Sequence, residues 1–206
     1  MGSEAPVSVA ATSAIGSRRM IELRPMTEAD LPLVAGWLRE PHVARWWLPG
    51  QSAEAELECY RQRLTGECDD GTHLLVVVER GRGPVGWCQR YRWDDTPDAA
   101  RELGTGPGEV GVDYALGDPA ATGRRLGTAM IAALVRHVRA HYSECGVVVE
   151  PEAANAASRA VLERNGFALV DVRPLSFEPH DRPMAIYRLA GGGSPLHPRD
   201  SLGVPR

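Results

Sequence analysis

The apolar and polar positions alternate with a period that switches repeatedly between two and about 3.6 residues. Ile21 to Arg24 reads as a short strand. Thr27 then stands as a helix N-cap with Asp30 at the capping-box distance, and Leu31, Val34 and Leu38 recur at helical spacing. Ala53 to Leu64 predicts a second helix. HLLVVVE (His73 to Glu79) and VGWCQRYRW (Val85 to Trp93) are strand-like runs separated by Arg80-Gly81-Arg82-Gly83-Pro84, which predicts an antiparallel hairpin. The polar stretch from Asp94 to Gly108 is expected to be a loop. Beyond it, EVGVDYAL puts Val110, Val112, Tyr114 and Leu116 on one strand face and Glu109, Gly111, Asp113 and Ala115 on the other. A Gly-Asp-Pro turn and TGRRLG then lead into an amphipathic helix striped by Met130, Ile131, Leu134, Val135 and Val138. Val147 to Val149 predicts a short strand, Asn155 to Arg164 a helix closed by Asn165-Gly166, and Phe167 to Arg173 with Met184 to Leu189 a final strand pair. Together these make an α/β fold with a mixed sheet.

A length of 206 residues with 43% hydrophobic and 24% charged positions suits one globular domain, here 20–190. The segments 1–19 and 191–206 are small, polar or rich in Gly and Pro and are expected to be flexible. No apolar run approaches the ~20 residues needed to cross a bilayer, so no membrane partner is expected. With 23 basic against 27 acidic residues and a net charge of −4, nucleic acid is a poor candidate for the main partner. Every basic residue is Arg, which removes the Lys that a Walker loop places on phosphates. The four cysteines, Cys59, Cys68, Cys88 and Cys145, form no close pair and have no His at ligand spacing. That argues for reduced thiols, no metal and a cytoplasmic location. No feature of the sequence sets an oligomeric state.

Four features could carry chemistry. Thr122-Gly123-Arg124-Arg125-Leu126-Gly127-Thr128, between a strand and a helix, would present backbone N–H groups to an anion, although such turns also serve as plain connections. Asp113 is a carboxylate in a mostly apolar strand, which needs either local partners or a purpose. Asp94, Asp95, Asp98 and Glu102 cluster around the single Arg101, and form either a solvated surface or a field that attracts a cation. Trp46 and Trp47 are adjacent, so one of them either lines a groove or packs in the core.

These pieces resemble the GNAT superfamily of acyl-CoA-dependent N-acyltransferases over roughly Ile21 to Leu189, most specifically in NAASRAVLERNGF (Asn155 to Phe167). The resemblance implies a mixed, mostly antiparallel central sheet flanked by helices, with a V-shaped splay between two central strands. It also implies acetyl-CoA as cosubstrate, bound by Tyr114, Ala115 and Leu116 of the opened strand, by Thr122, Gly123, Arg124, Arg125, Leu126, Gly127 and Thr128, and by Asn155 and Ser158. Within the superfamily the chain looks most like aminoglycoside 6'-N-acetyltransferases, on LRPMTEADL, PHVARWW, VGWCQRYRW, GVDYAL, VEPEAAN and Asp181-Arg182-Pro183. That likeness implies Asp113 as base for the substrate amine, and Trp46, Trp47, Gln89, Tyr91, Glu150 and Asp181 around a polycationic acceptor, with His42 a further member. Three positions depart from the pattern. Arg125 replaces the usual middle Gly of the turn, Thr122 stands where Arg or Gln is common, and Leu162 stands where many members carry a Tyr near the thioester sulfur. Rival readings are another GNAT acceptor, such as a siderophore hydroxylamine or a protein N-terminus, and a non-catalytic acyl-CoA or drug-binding module.

Overall fold

The computed structural model describes residues 21–142 and 145–191. The segments expected to be flexible, 1–19 and 191–206, lie outside the described residues apart from Gly191. The strands are β1 (Ile21–Pro25), β2 (His73–Glu79), β3 (Gly83–Arg92), β4 (Val110–Leu116), β5 (Val147–Val149), β6 (Ala168–Arg173) and β7 (Met184–Leu189). The helices are α1 (Leu31–Leu38), α2 (Pro41–Trp47), α3 (Ala53–Thr65), α4 (Pro97–Leu103), α5 (Leu126–His141) and α6 (Ala156–Arg164). The strands make one sheet in the order β1-β2-β3-β4-β5-β7-β6. Every neighbouring pair is antiparallel except β4 and β5, which run parallel and are joined through α5.

That parallel pair is where the sheet opens. It holds only Val110 opposite Val147 and Gly111 opposite Val148. The Val110 N–H donates to Gly146 O on the β5 side at 3.0 Å. Backbone groups of a strand alternate sides, so Val112 and Tyr114 turn theirs toward the same side, where β5 no longer accompanies β4. The mixed sheet and its V-shaped splay therefore follow the expected architecture.

One face of the sheet is covered by α1, α2 and α3 over a core that includes Val34, Trp37, Leu38, Tyr60, Val76 and Trp87. The other is covered by α5 and α6 over Val77, Val85, Val110, Val112 and Leu162. Leu126, Met130, Ile131, Leu134 and Val138 of α5 are each buried, at about 1.5–3 kcal/mol per side chain. This burial holds the α5 N-terminus against the end of β4. At the same corner Gly117 is required, because a Cβ there would fall inside the Trp37 ring.

One segment differs from expectation, and another is an element that the sequence pattern did not mark. The polar stretch Asp94–Gly108 contains a 3-10 turn at Trp93–Asp95 and then α4, with Pro97 in its first turn and Gly104 closing it at φ 65°. Ala99 and Leu103, one helical turn apart, pack in a cluster with Trp93 and Val148. Two apolar positions are too few to register as a period against the charged residues around them. The second is PHVARWW, which forms α2 with Pro41 in its first turn and Val43 buried.

Candidate active site

The site grows from the pairing of β3 with β4, which sets Gln89 opposite Asp113 and Tyr91 opposite Gly111. Gln89 Nε2 donates to Asp113 Oδ2 at 2.8 Å. A Cβ on Gly111 would fall inside the Tyr91 ring, so this glycine lets Tyr91 lie across β4, where Trp93 braces it edge-on at 5.1 Å.

Asp113 is half-buried and lies on the wall of three adjoining cavities of about 620, 520 and 650 Å³. The first runs from Trp46, Trp47 and Glu56 to Glu150, Asn155 and Ser158. The second is an aromatic alcove of Tyr91, Trp93 and Phe177 that shares Asp113, Glu150 and Glu178. The third is bordered by Asp69, Asp70 and Asp95, with Arg63 tied to Asp70 at 2.7 Å. Trp47 is positioned from below: its indole N–H meets Glu56 Oε1 and Tyr60 Oη, both at 2.9 Å, and its ring leans on Trp87 at 4.8 Å. Trp46 stands nearer solvent with the Arg45 guanidinium 4.2 Å from its ring centre.

Loss of water and like charge set the electrostatics. Burial pushes the Asp113 carboxyl above the ordinary aspartate value, against the Gln89 hydrogen bond. Burial also drives Glu150 well up, with the Asp113 and Glu178 charges adding to it. Glu178 is raised chiefly by burial. Gln89 Oε1 and Glu150 Oε2 are buried acceptors that no donor among the described residues meets. Buried acceptors of this kind are normally satisfied, so the hollow suits a donor-rich cation.

On the far side of the opening, Gly123 (φ 69°) and Arg125 (φ 62°) both adopt the left-handed conformation just before α5. Arg125 is the only non-glycine with positive φ among the described residues. Arg124 is committed elsewhere, in a two-bond pair with buried Glu79 at 2.9 and 3.0 Å. Arg125 is exposed and has no ion pair among the described residues. Asn155 caps α6, its Oδ1 accepting from Ser158 N–H at 3.1 Å, and the hydroxyls of Ser158 and Tyr114 are hydrogen-bonded at 2.7 Å.

An opened β4, a glycine turn feeding a helix N-terminus, and a capped helix across the gap together form a cradle for an extended, anion-bearing acyl donor. Residues 26–174 match the acetyltransferase (GNAT) domain family. The chain belongs to that family. Its acyl donor is acetyl-CoA, and the backbone groups of Val112 and Tyr114 that face the gap fit such a chain of amides. The chain is 26% identical over 151 residues to the aminoglycoside N(6')-acetyltransferase type 1 of Klebsiella pneumoniae, covering 73% of this chain and 75% of that one. It is 24% identical over 168 residues to the lysine N-acyltransferase MbtK of Mycobacterium tuberculosis, covering 81% and 76%. Among solved structures, aminoglycoside acetyltransferase AAC(6')-Ib with ribostamycin and coenzyme A superposes with a TM-score of 0.70 at 23% identity, over 83% of this chain and 93% of that one. The aminoglycoside N(6')-acetyltransferase of Legionella pneumophila gives 0.64 at 19% identity, over 84% and 92%.

In this GNAT protein Trp46, Trp47, Gln89, Asp113, Tyr114, Glu150, Asn155 and Ser158 line one cavity, and Tyr91 lines the two beside it. Other expected positions fall elsewhere. Asp181 is exposed and borders none of the three cavities, where Glu178 and His180 of the same connection stand instead. Ala115 packs against the core under α1–α3 and Leu116 against the core under α5. His42 Nε2 donates to Leu116 O at 2.9 Å, so it steadies the end of the opened strand. Leu162 is 0% exposed in the core between α5 and α6. The acidic run is divided: Asp94 pairs with Arg92, Glu102 with Arg173, and Asp98 and Asp95 border cavities. Cys88 is sealed in the core and burial raises its thiol. Sequence reasoning missed Glu56, Phe177 and Glu178. No local pattern marks them, since they reach the site through the α3 face and the β6–β7 connection.

Proposed function

We propose that this acetyltransferase moves the acetyl group of acetyl-CoA onto an amine of an aminoglycoside, at the 6'-amino group, with Asp113 as base. The observation that carries this reading is the convergence on one hollow of Asp113, Glu150 and Glu178 with two buried acceptors, Gln89 Oε1 and Glu150 Oε2, that lack a donor among the described residues. A polyamino sugar supplies what these groups lack: ammonium N–H donors, positive charge, and ring faces for Trp46, Trp47 and Tyr91. The similarity to aminoglycoside acetyltransferases supports the choice of acceptor.

Asp113 performs the first task. Its raised pKa makes it a better proton acceptor than an ordinary carboxylate, so it takes the ammonium proton directly or through one water. Gln89 Nε2 holds the carboxylate in orientation. The free amine then attacks the acyl carbon directly. No covalent acyl-enzyme is called for, and Cys88, the thiol nearest in sequence to Gln89, is buried and borders none of the three cavities. Gly123 and Arg125 at the α5 N-terminus would hold the donor's pyrophosphate, and the gap-facing N–H groups of Val112 and Tyr114 would receive its amides and polarise the acyl oxygen. The donor supplies an activated thioester.

The test is free-thiol release with acetyl-CoA and a panel of 4,6- and 4,5-linked aminoglycosides, with the acetylated position assigned in the product. Asp113→Asn should lower kcat by a factor on the order of 10²–10⁴ while the KM for acetyl-CoA stays nearly constant. Thiol release only with a hydroxylamine or a peptide amine would overturn the acceptor. Tight aminoglycoside binding without thiol release would make the protein a sequestering module. A host expressing the protein in its cytoplasm, where the four free thiols stay reduced, should gain aminoglycoside resistance.

A further inference from the structure

We infer that the Tyr114 hydroxyl, paired with Ser158, delivers the proton that the departing thiolate takes up; the inference rests on the transferase reading above. Breaking the thioester leaves an electron pair on sulfur, which a hydrogen-bond donor beside the opened strand would stabilise. The chain has five tyrosines and no lysine. Four of the phenols are occupied or misplaced. Tyr60 Oη receives the indole N–H groups of Trp47 and Trp87, Tyr142 Oη receives Arg90, and Tyr187 Oη receives Arg159 and donates to Glu163 at 2.6 Å. Tyr91 lines the second and third cavities, on the acceptor side with Asp113.

Tyr114 is different. It borders the same cavity as Asp113, Asn155 and Ser158, and its only partner among the described residues is another exchangeable hydroxyl, Ser158 Oγ at 2.7 Å. It sits on the stretch of β4 that has lost β5, so its ring and the first turn of α6 face each other across the opening. Successive strand residues point to opposite faces. Asp113 therefore opens toward the acceptor cavities, while Tyr114 packs beside the core under α5 and α6. Base and acid are consecutive residues on either side of one opened strand. Burial raises the Tyr114 phenol above its ordinary value, so it is fully protonated at neutral pH and ready to donate.

The step balances without a further reagent. The nitrogen–carbon bond forms as the carbon–sulfur bond breaks with its electron pair going to sulfur. The proton on Tyr114 Oη passes to sulfur, the Ser158 hydroxyl proton restores the phenol, and solvent restores Ser158. The ammonium gives up two protons: the first passes to Asp113 and on to solvent before attack, and the second, lost from nitrogen as the carbon–sulfur bond breaks, leaves by the emptied Asp113 to solvent, where it offsets the one that restores Ser158.

Tyr114→Phe should lower kcat by a factor on the order of 10–10², less than a full acid contribution because a thiolate is a good leaving group, with KM for both substrates within about twofold. Ser158→Ala should produce a smaller fall in the same direction. Binding of coenzyme A and of desulfo-coenzyme A, measured by calorimetry from about pH 7 to 9.5, supplies a readout independent of turnover, since thiols ionise in that range. A phenol that donates to sulfur favours the thiolate. The wild type should therefore prefer coenzyme A increasingly as pH rises, and Tyr114→Phe should flatten that trend. Unchanged kcat, or the same pH-dependent preference in both proteins, overturns the role of Tyr114. If the wild type acetylates no amine at all, the acceptor reading falls, while the binding comparison still decides whether Tyr114 touches sulfur.

Discussion

A carboxylate that loses water and gains carboxylate neighbours holds its proton more tightly, and Glu150 does both. Its unfolded counterpart ionises near pH 4.3. Between that value and its higher folded pKa, the folded protein carries a proton that the unfolded chain has released, so stability falls as pH rises through the window. Glu150→Gln should therefore raise the melting temperature at pH 7–8 and change it little near pH 4. Thermal melts at pH 4 and at pH 7–8 check this, and an unchanged melting temperature at pH 7–8 would mean that burial does not disfavour the Glu150 carboxylate. At this scale the sequence was partly legible. Asp113 stood out because a carboxylate in an apolar strand needs an explanation. Asp181 and Glu178 sit three residues apart in one connection, and only the path of that connection decides which of them reaches the cavity.

The turn between β4 and α5 shows how an element stores a functional cost. Arg125 holds φ 62°, a conformation that costs a side-chain-bearing residue about 1–2 kcal/mol and glycine almost nothing. Arg125→Gly relieves that strain but adds freedom to the unfolded chain worth about 0.4–1 kcal/mol, so the two effects nearly offset. Stability should change by less than about 1 kcal/mol. Coenzyme A affinity should still fall several-fold, because the only unpaired cation of the turn is gone. Calorimetry with denaturant melts separates the two quantities, and undiminished affinity would mean that Arg125 is strained without serving the donor. Elements with strong periodicity were legible, α5 by its apolar stripe and β5 to the residue, because a buried stripe repeats over several turns or an entire strand is apolar. α2 and α4 were not, because each is seven residues long and owes its burial to neighbours that the sequence does not place beside it.

The molecule as a whole carries a net charge of −4, and the three cavities gather Glu56, Asp69, Asp70, Asp95, Asp98, Asp113, Glu150, Glu152 and Glu178 around one opening. Glu152 is answered by Arg182, Asp70 by Arg63, and Glu150 holds its proton, but the rest leave the opening negative. A polycationic acceptor should thus be drawn in by the field, and kcat/KM should fall steeply as ionic strength rises from about 10 mM to 150 mM, where the screening length shrinks from about 30 Å to 8 Å. Stopped-flow or steady-state rates across a salt series test this, and a flat response would show that local contacts alone capture the acceptor. By itself the sequence determined the α/β layout, the faces of β4 and α5, the turn before α5 and the cap of α6, because each depends on residues within one or two helical turns of one another. The tertiary structure alone decided how short the β4–β5 ladder is, that Glu178 and not Asp181 shares the hollow, and that Tyr114 meets Ser158. Those facts depend on how a two-residue parallel ladder ends and on contacts between segments far apart in the chain, which no local period encodes.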